Sequence, residues 1–340
     1  MLKKSVISRT PGFLSRVFVV NRRLGARRTC LLVIFLILLT LLCTVLYKFF
    51  TRDVELVGWE MNVSRNVTNY VYPNRDTSFS HTDPNICSEM KPLVVVVVCS
   101  DTRNSRLRNA IRDTWAKDAR EKYNILVLFL VGISGNEDVN MATLVESLKY
   151  KDIIAEDVAE SYNNLTIKSI FMLKWIHKKC MQARFVLKVD DDAFINLANL
   201  YNYTLQVDDN KMQDFLVGFI QTDPSPHRFH FSKWYIPRYM YPLDKYPTYV
   251  QGVAYLMSSY VAEKIYFESL RNDVIHLEDV FITGICPEKL HITVRDDPLF
   301  HFYYKPGSVA CDSEQSRLIA VGHYVDVYRM YKLHYQISKC

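Results

Sequence analysis

Residues 185–197 read FVLKVDDDAFINL, an apolar run that ends in three consecutive aspartates before an apolar run resumes. Like charges side by side cost energy unless something positive sits among them. In an extended segment residues i and i+2 point to the same side, so Asp190 and Asp192 are expected to project together with Asp191 opposite. They fall just past the carboxyl end of a strand, where open α/β sheets bind ligands. Two convergent carboxylates are hard oxygen ligands suited to Mg²⁺ or Mn²⁺. Such an ion is seldom held by protein alone and commonly bridges to a diphosphate. The competing reading is a solvated acidic turn that caps the next helix. An EF-hand is excluded, because neither the glycine nor the twelfth-position glutamate follows.

Working outward from this strand, the segments alternate in type. KPLVVVVVCS (91–100) has five consecutive valines, as a strand buried on both faces requires. A helix is expected over 104–118, a strand over 123–132, a helix over 137–150 and a short strand over 152–157. A long amphipathic helix over 164–181 leads into the aspartate strand at 184–189. Strands at 214–220 and 249–258 and helices near 259–270 and 278–290 follow. Such alternation predicts an α/β domain with a mostly parallel sheet flanked by helices. Residues 221–248 are rich in Pro, Tyr, His and Trp without periodicity, and a loop of that length is read as functional.

The chain has 340 residues, enough for one large domain or two modest ones. Its formal net charge of +6 is misleading. Eight Lys/Arg and no acids lie in residues 1–28; removing them from the 42 basic residues leaves 34 against 36 acidic ones. That balance offers no basic groove for nucleic acid. Residues 29–47, TCLLVIFLILLTLLCTVLY, carry no charge and are long enough to span a hydrocarbon core. A cleaved signal peptide is the alternative, but its apolar region is normally shorter. The basic flank precedes the span, so residues 1–28 are expected in the cytosol and the chain after residue 50 in the lumen. Residues 48–90 are polar and read as a flexible stem, with the globular domain at 91–340.

A lumenal location suits four glycosylation sequons, at Asn62, Asn66, Asn164 and Asn202. Asn164 is equally a candidate helix cap. Six lumenal cysteines (Cys87, Cys99, Cys180, Cys286, Cys311, Cys340) are compatible with bridges, and Cys99 equally with a buried thiol.

A second acidic site, Glu278–Asp279 in HLEDVFITGIC (276–286), opens an apolar helix. It can serve the helix dipole, or act as a general base beside a metal–diphosphate site. Arg108 and Arg112 share a helix face, with Trp115 three residues on. They can contact phosphate, or form surface salt bridges around an aromatic anchor.

These motifs, in this order, resemble glycosyltransferase family 31, the β-1,3-galactosyl- and β-1,3-N-acetylglucosaminyltransferases. RNAIRDTW (108–115), DVAESYNNLTIKS (157–169), KVDDDAFIN (188–196), YPTYVQGVAYLMS (246–258) and EDVFITG (278–284) carry the resemblance, which covers roughly residues 91–340. It implies a GT-A type nucleotide-binding sandwich and a single-pass type II protein of the Golgi membrane with a lumenal catalytic domain. It implies an inverting hexosyltransferase that moves galactose or an N-acetylhexosamine from a UDP-sugar to the 3-hydroxyl of a lipid or protein glycan. Asp190 and Asp192 would hold Mn²⁺, with Asp192 the direct ligand. Lys188, Asp190, Asp191, Arg108 and Arg112 would lie on the donor side. Asp279 would be the base and Glu278 its support. His323 would complete the metal site, with His301 as its rival, and a Cys311–Cys340 bridge would anchor this tail. A homodimer is compatible with the chain.

The chain departs from the family pattern at Gln251 and Ala254, where sugar substrates are expected, and at Glu160 and Ser169. The alternative readings are a non-catalytic glycan-binding membrane protein on the same fold and a metal-dependent phosphoesterase. The latter would call for more carboxylates or histidines.

Overall fold

The computed structural model describes residues 12–72, 82–83, 85–301, 311 and 314–340, with backbone alone for 12–26, 314 and 315. Two compact units emerge, one reaching Val54 and including Arg228–Tyr235, the other Glu55–His227 with Ile236–Cys340. The first contains a helix, Gly12–Phe50, whose portion Arg27–Phe50 is apolar and long enough to cross a membrane.

The second unit is built on a seven-stranded sheet in the order β3-β2-β1-β4-β7-β6-β8. Its strands are β1 (Val94–Cys99), β2 (Ile125–Ile133), β3 (Ile153–Ala159), β4 (Phe185–Asp190), β6 (Leu216–Gln221), β7 (Tyr249–Ser258) and β8 (Arg295–Asp296). A small sheet joins β5 (Phe194–Ile195), β10 (Ala320–Val321) and β9 (Phe300–His301). Strands β1 to β4 are mutually parallel, whereas β7 runs antiparallel to both β4 and β6. This is the mostly parallel, helix-flanked sheet that the alternating segments predict.

The valine run explains itself in this setting. Val95 and Val97 enter the core on one face of the sheet, and Val94, Val96 and Val98 the core on the other. Successive strand residues point to opposite faces, so a strand covered on both sides favours apolar residues at every position. The helix Leu165–Lys179 differs from its amphipathic reading, because every residue from Thr166 to Ile176 is buried. Its Lys168 is kept there by an ion pair to Glu160 at 2.8 Å and a hydrogen bond to the Ser100 carbonyl at 2.9 Å. Asn164 precedes this helix without capping it by its side chain, which donates instead to the Ala159 carbonyl.

The polar stem is shorter than the composition suggests. Trp59, Val67 and Val71 are fully buried in the core of the second unit. The Trp59 indole donates to the Asn163 carbonyl at 2.8 Å, and Arg65 donates to the carbonyls of Met240 and Val274. These residues belong to the second compact unit, which begins at Glu55. Disulfides join Cys87 to Cys180 and Cys311 to Cys340. Cys99 and Cys286 are free and buried.

Candidate active site

The sheet order places the site. From β1 the chain moves outward through β2 to β3, then returns to the other side of β1 as β4. The crevice at such a reversal, beyond the carboxyl ends of the strands, is where open α/β sheets bind ligands. Cys99 of β1 and Asp190 of β4 face each other in register at that edge.

The strand ends at Asp190, and Asp191 and Asp192 form a turn. The extended alternation expected for the three aspartates therefore does not hold, and each turns to a different partner. Asp190 accepts from Lys188 Nζ at 2.6 Å. Asp191 accepts from Ser100 Oγ at 2.7 Å and Asn104 Nδ2 at 2.9 Å, across the crevice. Asp192 accepts from the Tyr324 backbone N–H at 3.1 Å and lies 3.8 Å from His323 Nδ1. Burial disfavours the Asp192 carboxylate, but its contacts with His323 and Tyr324 win and lower its pKa. Burial pushes Asp190 up to about 6, against the pull of Lys188.

His323 and Tyr324 both adopt left-handed backbone, with φ of 52° and 66°. Such conformations cost energy in non-glycine residues and persist where the surroundings enforce them. Gly322 before them is required, since a Cβ there would meet Val253 Cγ1 at 1.8 Å. His301, the rival histidine, lies on β9 and lines a small cavity with Gln251, Ala254 and Phe219, while His323 is the one beside Asp192.

The second acidic pair joins the first through Lys188. This lysine is fully buried, and its ammonium also contacts the Gly252 carbonyl and lies 3.6 Å from Glu278 Oε2. Glu278 is buried and accepts from the Tyr255 hydroxyl at 2.6 Å. Asp279 accepts from the backbone N–H groups of Val280 at 2.9 Å and Gly252 at 3.3 Å. Burial and then the neighbouring Glu278 charge push Asp279 up to about 6. A Cβ on Gly252 would stand 3.2 Å from Glu278 Oε2 and 3.5 Å from Asp279 Cβ, so this close approach favours glycine. The helix expected over 278–290 begins as a wide π-helical turn, Val280–Ile285, a form found often at functional sites.

The two arginines are paired with carboxylates of the protein. Arg108 is fully buried, with a bidentate pair to Glu146 (2.9 and 2.7 Å) and further bonds to Ser100 Oγ and the carbonyls of Asp101 and Thr102. Its donors are committed to protein, so it positions the Ser100 hydroxyl, which in turn holds Asp191. Arg112 pairs with Asp152 and Glu146 and stacks 4.0 Å from the Tyr150 ring. The arginines thus take the salt-bridge alternative, in the interior for Arg108. Lys188 likewise is an internal counter-ion and not a surface group. Tyr255, Ser100, Asn104 and Gly252 were not singled out in the sequence. Only their contacts, with partners 23 to 91 residues away, reveal them.

For a divalent ion the donor set is chemically apt but open. Carboxylate and imidazole suit Mn²⁺, and Asp192 and His323 are close enough to share one. Among the described residues no three His, Cys, Asp or Glu form a closed metal cage. An open seat suits an ion completed by substrate phosphates.

The crevice at the strand reversal, the acidic turn and the second buried acidic pair form one candidate site. The chain belongs to the galactosyltransferase family, whose model matches residues 106–298. It is 36% identical over 211 residues to beta-1,3-galactosyltransferase 1 of Mus musculus, covering 62% of this chain and 64% of that protein. The chain thus spans just under two thirds of the length of that relative. It is 34% identical over 260 residues to beta-1,3-galactosyltransferase 5 of Pan troglodytes, covering 75% of this chain and 85% of that protein. Among solved structures it is similar to galactosyltransferase LgtC in complex with donor and acceptor sugar analogs (TM-score 0.35, 12% identity, 62% of this chain and 75% of that one). Mouse xyloside xylosyltransferase 1 aligns with a TM-score of 0.32 at 10% identity, over 60% of this chain and 84% of that one.

Proposed function

We propose that the chain transfers galactose from a UDP-sugar to the 3-hydroxyl of an acceptor glycan, with inversion, to form a β-1,3 linkage. The observation that carries this reading is the pairing of two unlike acidic sites through buried Lys188 at one crevice. In the first site the pKa of Asp192 is lowered while that of its neighbour Asp190 is raised to about 6, and in the second that of Asp279 is raised to about 6. A transferase needs both, because the donor diphosphate must be held and the acceptor hydroxyl must lose its proton. The similarity to beta-1,3-galactosyltransferases 1 and 5 supports galactose over an N-acetylhexosamine.

Asp279 takes the proton of the acceptor hydroxyl as that oxygen attacks the anomeric carbon. The new C–O bond forms on the face opposite UDP. The bond to the diphosphate oxygen breaks, and its electron pair leaves with UDP. Glu278, held by Tyr255 and Lys188, lies beside Asp279 and adds to the burial that raises the Asp279 pKa. Asp192 and His323, with Asp190 behind them, would hold Mn²⁺, which supplies Lewis-acid stabilisation to the departing diphosphate when bound. Asp191 is fixed by Ser100 and Asn104 on the β1 side of the crevice, where it can meet the donor nucleoside. The apolar helix would anchor the chain as a type II protein of the Golgi membrane, with the catalytic unit in the lumen.

The test is UDP release by the full chain in detergent with Mn²⁺, from UDP-galactose, UDP-N-acetylglucosamine and UDP-N-acetylgalactosamine, with and without simple sugar acceptors. Acceptor-dependent release from UDP-galactose is expected. Release of free phosphate, or UDP binding with no acceptor-dependent turnover from any donor, overturns the reading.

A further inference from the structure

The catalytic account leaves unused the aromatic part of the long loop between β6 and β7. Its residues 228–235 belong to the same compact unit as the apolar helix. Phe229 and Phe231 pack on Phe50, the last helical residue, at ring distances of 5.4 and 6.1 Å. His230 sits 6.2 Å from the Phe49 ring, and its Nδ1 lies 2.9 Å from the Phe50 carbonyl. The Tyr235 hydroxyl accepts from the Val54 N–H at 2.7 Å and donates to the Val54 carbonyl at 3.1 Å. These bonds fix the loop at the level of the helix end.

That level is a particular place in a bilayer. The apolar helix Arg27–Phe50 has 24 residues. At about 1.5 Å per residue it outruns the roughly 30 Å hydrocarbon core, so its Phe50 end falls in the headgroup layer. Aromatic rings and cations concentrate in that layer. The surface here has that make-up: Phe229, Phe231 and Trp234 stay 45%, 66% and 49% exposed, beside Tyr47 and Phe49 at 70% and 50%. Lys48, Arg52, Arg228 and Lys233 are their neighbours in sequence, and the Arg52 guanidinium lies 5.2 Å over the Phe49 ring. Scattered apolar residues are ordinary on a soluble surface, but a contiguous aromatic patch marks an interaction site.

We propose that Arg228–Tyr235 is a second membrane contact, with Phe229, Phe231 and Trp234 seated in the lipid headgroup layer. The proposal rests on the apolar helix being a membrane span. His227 and Ile236, which flank the loop in sequence, belong to the second compact unit. The ligand is the lipid interface itself, and no lipid species is singled out.

The test uses the full chain reconstituted in vesicles of phosphatidylcholine and phosphatidylserine. Tryptophan emission is compared between wild type and Trp234→Phe, so that the difference isolates Trp234 from Trp59, Trp115 and Trp175. The Trp234 component is expected to lose most of its intensity to phosphatidylcholine brominated near the headgroup and to resist aqueous iodide. UDP release unchanged in Trp234→Phe shows that the variant is folded. Quenching by iodide and none by brominated lipid, with the chain still resisting alkaline carbonate extraction, overturns the loop contact alone. Release of the chain by carbonate overturns the span on which the proposal rests, and the proposal with it.

Discussion

The two acidic sites share one chemistry and part in environment. Asp192 sits in a turn with a backbone N–H and an imidazole at hand, and its pKa falls despite burial. Asp279 sits at the head of a π-helical turn beside another buried carboxylate, and its pKa rises to about 6. The same side chain thus shifts in opposite directions at the two places. Environments that push like groups apart assign acid–base roles more surely than residue type does. Lys188 makes the contrast possible, since it contributes positive charge to both sites and lets them lie close together.

The largest effect expected is at Asp279. Asp279→Asn keeps the shape and removes the base, so turnover should fall by about 10²–10⁴-fold. UDP-sugar affinity, read by calorimetry with Mn²⁺, should stay within a few-fold of wild type. A parallel fall in binding and turnover would erase the distinction between the two sites.

At the other site, Asp192→Ala should act on binding first. The Mn²⁺ concentration needed for half-maximal UDP binding should rise by at least the roughly 10–100-fold that losing even an outer partner of a metal ligand costs. His323→Gln should give the smaller rise and His301→Gln none. A larger effect at His301 would reverse the assignment of the two histidines.

The pH dependence separates the sites further. With Asp279 titrating near 6, kcat/KM should fall on the acid side with an apparent pKa near that value. The stability consequence has the opposite sense. Between the ordinary value of 3.8 and about 6, the folded Asp279 retains a proton that the unfolded chain has released. Stability contributed by this group is therefore full below 3.8 and declines as pH rises to about 6. Melting temperatures across that range should show a shallower decline in Asp279→Asn than in wild type.

The smallest change expected is Tyr255→Phe. It leaves Glu278 Oε1 without its hydroxyl donor in a buried setting, at about 1–3 kcal/mol of stability by chemical denaturation. Turnover should fall far less than in Asp279→Asn. If it falls as far, Tyr255 belongs to the chemistry and not to its support.

Much of this arrangement was legible in the residue order. The valine run, the aspartates at a strand end and the acids opening an apolar helix are local patterns. Arg108 shows where that kind of reading stops. Helical spacing puts it on one face with Arg112 but does not say that this face turns inward toward Glu146, 38 residues on. The segment after residue 55 shows the same limit. Its polar composition hides Trp59, Val67 and Val71, three spaced anchors that are buried only because a groove on the folded unit receives them.

The sequence by itself determined the alternation of strands and helices, the apolar helix and the positions of the candidate carboxylates, because short-range sterics and hydrophobic periodicity act within a few residues. Only the tertiary structure decided what those carboxylates become. The strand order sets β4 between β1 and β7, and this brings Lys188, already beside Asp190 on its own strand, to Glu278 and sets Ser100 against Asp191. The ionisation of a carboxylate depends on burial and on charges a few ångströms away, and those neighbours come from segments far apart in the chain.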